Sequence, residues 1–133
     1  MGNVLLVLGL VLVAVSAAIH VLIFVLESVR WSKPSTWRAF GLKTQADADV
    51  VRPMAFNQGF YNLFLALGVV IGLALLATVP QAGFALVVFA AGSMVFAAAV
   101  LVLSSPKLAR AAMIQGLAPL LGIVLIVIGL TAS

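Results

Sequence analysis

Hydrophobic residues fall into four runs, at about residues 4–29, 54–79, 82–103 and 108–130. Each reaches the roughly 20 residues that an α-helix needs to cross a hydrocarbon layer about 30 Å thick. Two short breakers, "TVPQAG" (78–83) and "SSPKLAR" (104–110), separate the last three runs, and each holds a proline. The only long connection lies between the first and second runs, at residues 30–53. The pattern predicts an all-α protein: a four-helix transmembrane bundle forming a single integral membrane domain over residues 1–133.

Composition agrees with that pattern. Of 133 residues, 65% are hydrophobic and 8% charged, against about 25% charged in soluble domains. Too little polar material exists to cover a water-soluble surface. With lipid as solvent, backbone groups must pair within each segment, which selects helices. "AVSAA" (14–18) resembles a signal-peptide cleavage site, but no Lys or Arg precedes it and the apolar run continues beyond it. An uncleaved first span is expected.

Charge adds an orientation. Arg30, Lys33, Arg38, Lys43 and Arg52 lie in the long connection, and Lys107 and Arg110 lie in the last breaker. Four spans place both connections on one side, while both termini and "TVPQAG" carry no Lys or Arg. The positive-inside rule then predicts cytoplasmic loops at 30–53 and 104–110, with both termini outside. The expected location is the bacterial plasma membrane. In the long connection, Trp31, Trp37 and Phe40 are interleaved with Lys33 and Arg38, which suits a structured segment in the headgroup layer. Thr44 in "TQAD" can cap a short helix, and Pro53 suits the first turn of the second span.

Polar residues inside the apolar runs supply the candidate chemistry. "NQGFYN" (57–62) puts Asn57, Gln58, Tyr61 and Asn62 on one side of a helical wheel and Phe56, Phe60 and Phe64 on the other. His20 and Glu27 are seven residues apart on one face of the first span, and Gln115 lies early in the fourth. Pro119 leaves the carbonyl of Gln115 without its helical donor. Together these residues predict a polar pocket open toward the cytoplasm. Ordinary readings stand beside each: His20 as a satisfied neutral imidazole, Glu27 as a helix-end partner of Arg30, the amides as glue between helices, and Tyr61 as an interfacial belt residue. Gly68, Gly72, Gly122 and Gly129 are expected at helix contacts behind the pocket. A short echo, "QG" followed eleven residues on by "VVIGL" (69–73) or "IVIGL" (126–130), links the second and fourth spans.

Several function classes are disfavoured. One His, one nearby Glu and three amides do not make a zinc site, and no cysteine is available. No metal or other cofactor is implied. No basic face with groove-reading elements points to nucleic acid.

"HVLIFVLE", "NQGFYNLFLA" and "IQGLAPLLG", in that order, resemble an uncharacterised family of small four-span integral membrane proteins, filed as a domain of unknown function. The likeness covers nearly the whole chain. It implies a four-helix membrane protein with a shared polar centre at His20, Glu27, Asn57, Gln58, Gly59, Tyr61, Asn62, Gln115, Gly116 and Pro119. It brings no reaction, substrate or cofactor. The leading expectation is a site for a small amphipathic or lipid-like ligand, with His20 as the proton carrier and Glu27 its orienting partner if chemistry occurs. The rivals are an accessory subunit of a larger membrane complex and a small transporter built as a homo-oligomer.

Overall fold

The computed structural model describes residues 1–132, and the regular structure among them is all helical. Its α-helices are α1 (Gly2–Phe24), α2 (Pro34–Ala39), α3 (Gln45–Leu75), α4 (Pro80–Ser104) and α5 (Ala109–Thr131). A π-helical turn, Val25–Val29, prolongs α1, and a 3-10 turn, Pro106–Leu108, leads into α5. Four helices are long and apolar enough to cross a membrane: α1 with its π turn, α3, α4, and α5 with its leading turn. The chain is therefore an integral membrane protein.

The four long helices form a ring in the order α1, α3, α4, α5, with α5 returning to α1. Lipid offers no hydrophobic drive for helices to associate, so close packing has to supply it, and small residues permit the closest approach. Glycine does this at each side of the ring. A Cβ on Gly9 would lie 2.8 Å from the Gly122 carbonyl oxygen, and one on Gly129 would lie 2.6 Å from the Leu6 nitrogen. Between α3 and α4, a Cβ on Gly72 would stand 3.0 Å from the Gly83 oxygen. Between α4 and α5, one on Gly116 would stand 2.6 Å from the Cβ of Ala98. At the α1/α3 seam, a Cβ on Gly59 would run into the Ser28 hydroxyl. The expected contact glycines Gly68, Gly72, Gly122 and Gly129 all lie at such seams. Both members of the internal echo do so too, through Gly59 with Gly72 and Gly116 with Gly129. Val13, Ala66, Val69, Val87, Met94 and Ile126 fill the space between the helices.

The long connection is ordered by its own small core. Trp31, Trp37, Ala48 and Ala55 are buried together, with Phe40, Leu42 and Val51 against them. Trp31 Nε1 donates to the Ala48 carbonyl at 2.9 Å, tying the end of α1 to the start of α3. Gly41 turns the chain between α2 and α3 at φ +86°, where a side chain would be strained. A Cβ there would lie 3.7 Å from Leu108, so the two basic connections meet at one end of the bundle. That end is called the basic end below.

Thr44 caps a helix, as expected: the Asp47 amide donates to Thr44 Oγ1 at 3.1 Å, and that hydroxyl donates to Asp47 Oδ2 at 2.6 Å. The helix so started is not a separate short one. It runs from Gln45 through Pro53 into the second span without a break. Pro53 removes only the amide that would pair with the Asp49 carbonyl, and outside the hydrocarbon layer water can replace it.

A polar site at the basic end

The α1/α3 seam carries the candidate site, and small side chains create it. On α3 the residues that turn inward are Ala55, Gly59, Asn62, Ala66, Val69 and Gly72, spaced three or four apart. This stripe passes through one edge of the polar arc of "NQGFYN". Asn62 is consequently buried, while Asn57 and Gln58 are exposed and Tyr61 is 57% exposed. The arc is thus divided: one amide enters the bundle and three polar groups face outward.

Asn62 enters to meet Glu27. Its Nδ2 donates to Glu27 Oε2 at 3.1 Å and also to the Gln58 carbonyl at 3.1 Å. Glu27 is buried within the π turn, whose wider winding turns Glu27 and Ser28 together toward α3. Ser28 Oγ donates to the Phe56 carbonyl at 2.8 Å. Such single π turns are frequent at functional sites. The helix-end pair of Glu27 with Arg30 does not form among the described residues, since Arg30 is exposed and Glu27 points to Asn62 instead. The remaining carboxyl oxygen, Oε1, has no hydrogen-bond partner among the described residues.

A cavity of about 110 Å³ opens beside this pair, lined by Glu27, Ser28, Val29, Trp31, Ser32, Arg52 and Phe56. It combines a carboxyl, two hydroxyls and a guanidinium at the basic end of the bundle. Phe56 also begins an aromatic ladder along α3. The ring centroids of Phe56 and Phe60 are 5.1 Å apart and those of Phe60 and Phe64 are 6.3 Å apart. Phe24 of α1 meets Phe60 edge-on at 5.2 Å. The ladder extends from the polar cavity along α3, away from the basic end.

His20 is not part of that cavity. It is 1% exposed, two turns farther from the basic end than Glu27, and its Nδ1 donates to the Ser16 carbonyl at 2.8 Å. A carbonyl can only accept, so the neutral imidazole carries its proton on Nδ1 and leaves a lone pair on Nε2. Ser16 in turn donates to the Val13 carbonyl at 2.7 Å. Gln115 is half-buried in the same helix lane as Gly122 and Gly129, which pack on α1. Continuing that register puts Gln115 level with the turn of α1 between Ser16 and His20. Ser16, His20 and Gln115 therefore form a second polar level, separated from the first by roughly 10 Å of helix rise between His20 and Glu27.

Of the sequence candidates, Glu27 and Asn62 come together directly, His20 and Gln115 share a deeper level, and Asn57, Gln58 and Tyr61 line the outside. Sequence reasoning missed Ser28, Ser32 and Arg52. The available signal was Ser28 beside Glu27, two adjacent polar residues near the end of the first apolar run. Among the described residues no group of three His, Cys, Asp or Glu side chains could hold a metal ion.

A family model described as a protein of unknown function, DUF1304, matches residues 4–127. No curated protein and no solved structure matches.

Proposed function

From the premise that the chain belongs to the DUF1304 family, whose function is unknown, we propose that it is a membrane-embedded binding protein for a small amphipathic or lipid-like molecule. The ligand's polar group sits in the cavity between Glu27, Ser28 and Arg52, and its apolar part runs along Phe56, Phe60 and Phe64. The observation that carries this reading is the junction of a cavity holding a carboxyl and a guanidinium with an aromatic track. Pockets of this kind fix a ligand with a few convergent polar groups and bind it through apolar walls. If chemistry follows binding, His20 with its free Nε2 is the candidate proton carrier. Tight glycine seams beyond the cavity support binding over translocation.

Native mass spectrometry of the detergent-purified protein tests the reading. The native chain is expected to retain a defined small molecule, with about tenfold less retained after Glu27→Gln or Arg52→Gln. The same unselective lipids on all three proteins would sink it. A second reading, an accessory subunit, draws support from the outward-facing Asn57, Gln58 and Tyr61. It predicts that Asn57→Leu and Gln58→Leu weaken co-purification of a membrane partner and leave ligand retention unchanged.

The proposed orientation places the basic end in the cytoplasm of a bacterial cell and both termini outside, supported by the seven cations gathered at that end. The native chain has no cysteine, so an introduced one is its only thiol. Gln81→Cys is expected to react with a membrane-impermeant maleimide in intact cells, and Lys43→Cys only after permeabilisation. The reverse pattern would invert the topology.

A further inference from the structure

On the opposite side of the ring from the Glu27 cavity, the outer surface along the α4/α5 seam carries an open apolar groove of about 250 Å³. Ala98, Ala99, Ala112 and Gly116 make it shallow-floored, and Met113 and Leu117 form one wall. Arg110 precedes Met113 by three residues and Leu117 by seven, so it lies in the same helix lane as that wall, at the basic end of the groove. Helical side chains lean toward the N-terminus of their helix, so the guanidinium reaches toward the headgroup layer. Lys107 sits in the 3-10 turn just before it. Both cations are exposed, and neither is paired with an acidic side chain among the described residues. The two exposed carboxylates of the long connection, Asp47 and Asp49, accept hydrogen bonds from Thr44 and Gln45.

We propose that the α4/α5 groove is a binding site for an anionic glycerophospholipid, with one acyl chain along the groove and the phosphate held by Arg110 and Lys107. Charge complementarity selects this occupant. A second copy packed here about a twofold axis along the membrane normal would bring Lys107 and Arg110 level with their own counterparts, and like charges would face each other. A zwitterionic lipid would fill the groove but leave the two cations with no net negative partner. The site is separate from the Glu27 cavity and does not depend on the function proposed for it.

The test places the full-length protein in nanodiscs of equal phosphatidylglycerol and phosphatidylcholine and reads the lipids retained on release by native mass spectrometry. The native chain is expected to retain phosphatidylglycerol preferentially. That preference should fall about fivefold for each cation removed, in Arg110→Gln and Lys107→Gln. Ala99 is exposed at the groove, so Ala99→Trp can fill it without entering the bundle, and it should reduce retention of both lipids. Circular dichroism melts of each variant confirm that the fold is kept, and Ala99→Leu replaces any tryptophan variant that fails this check. Equal retention of the two lipids by the native chain, or a preference unmoved by both cation variants, would overturn the proposal. So would a dimer that persists without phosphatidylglycerol and dissociates on Ala99→Trp. Glu27→Gln should leave phosphatidylglycerol retention unchanged, which separates this site from the ligand cavity.

Discussion

Gly9→Leu is expected to destabilise the bundle by about 3 kcal/mol, the upper end of what overpacking costs. A Cβ on Gly9 meets the Gly122 oxygen and the Ile126 nitrogen, both at 2.8 Å. These are backbone atoms, so no rotamer change relieves the clash and α1 must move away from α5. That movement also breaks the register that places Gln115 level with the turn from Ser16 to His20. Gly92→Leu is the matched control, because nothing lies within 4 Å of a Cβ at that position and leucine favours the helix. In detergent unfolding followed by circular dichroism, Gly9→Leu should shift the midpoint strongly, while Gly92→Leu should match or exceed the native chain. Equal midpoints for the two variants would mean that the α1/α5 approach contributes little to stability.

Gly59→Ala is expected to have the second largest effect, and a different one. Its new methyl meets the Ser28 hydroxyl, the end of a side chain that can rotate, and the Glu27 and Ser28 Cβ atoms at 3.2 Å, which must yield slightly. Rotation of Ser28 forfeits its bond to the Phe56 carbonyl, and displacement of the π turn draws Glu27 from Asn62. The substitution should cost about 2 kcal/mol, localised at the basic end, and should abolish ligand retention. Ser28→Ala alone should cost about 1 kcal/mol. Because both changes act on one hydroxyl, the double variant should cost clearly less than the sum of the singles. Strict additivity would argue that the hydroxyl is not what Gly59 accommodates.

How much of this was legible beforehand follows from what fixes each feature. The spans, their breakers and the Thr44 cap are local, and the pattern of apolar runs, prolines and capping residues carries them. The length of α3 was not legible, because a proline eight residues beyond the helix start reads as a boundary when only its missing amide is considered. The seam glycines were partly legible as small-residue spacings. The polar arc shows the limit most clearly. A wheel correctly puts Asn57, Gln58, Tyr61 and Asn62 on one side, and polarity alone would turn that whole side inward. In a bilayer the small face decides instead: the stripe through Gly59, Ala66 and Gly72 docks, and of the arc only Asn62 belongs to it. The π turn has no local signature, and the partners of its Glu27 and Ser28 lie on α3, far away in the chain. A cavity beside such a turn is equally invisible until two helices are placed together.

Both tryptophans of the chain, Trp31 and Trp37, lie in the small core of the long connection. Intrinsic fluorescence therefore has its only indole emitters outside the span interior. An emission shift on heating or ligand addition would report the docking of residues 30–55 against the bundle rim. The same signal would stay silent while the distant helix ends fray. Paired with far-ultraviolet dichroism, it makes the chain a two-channel thermometer, one channel for the rim and one for the spans. Any gap between the two transitions would measure how independently the rim comes undone.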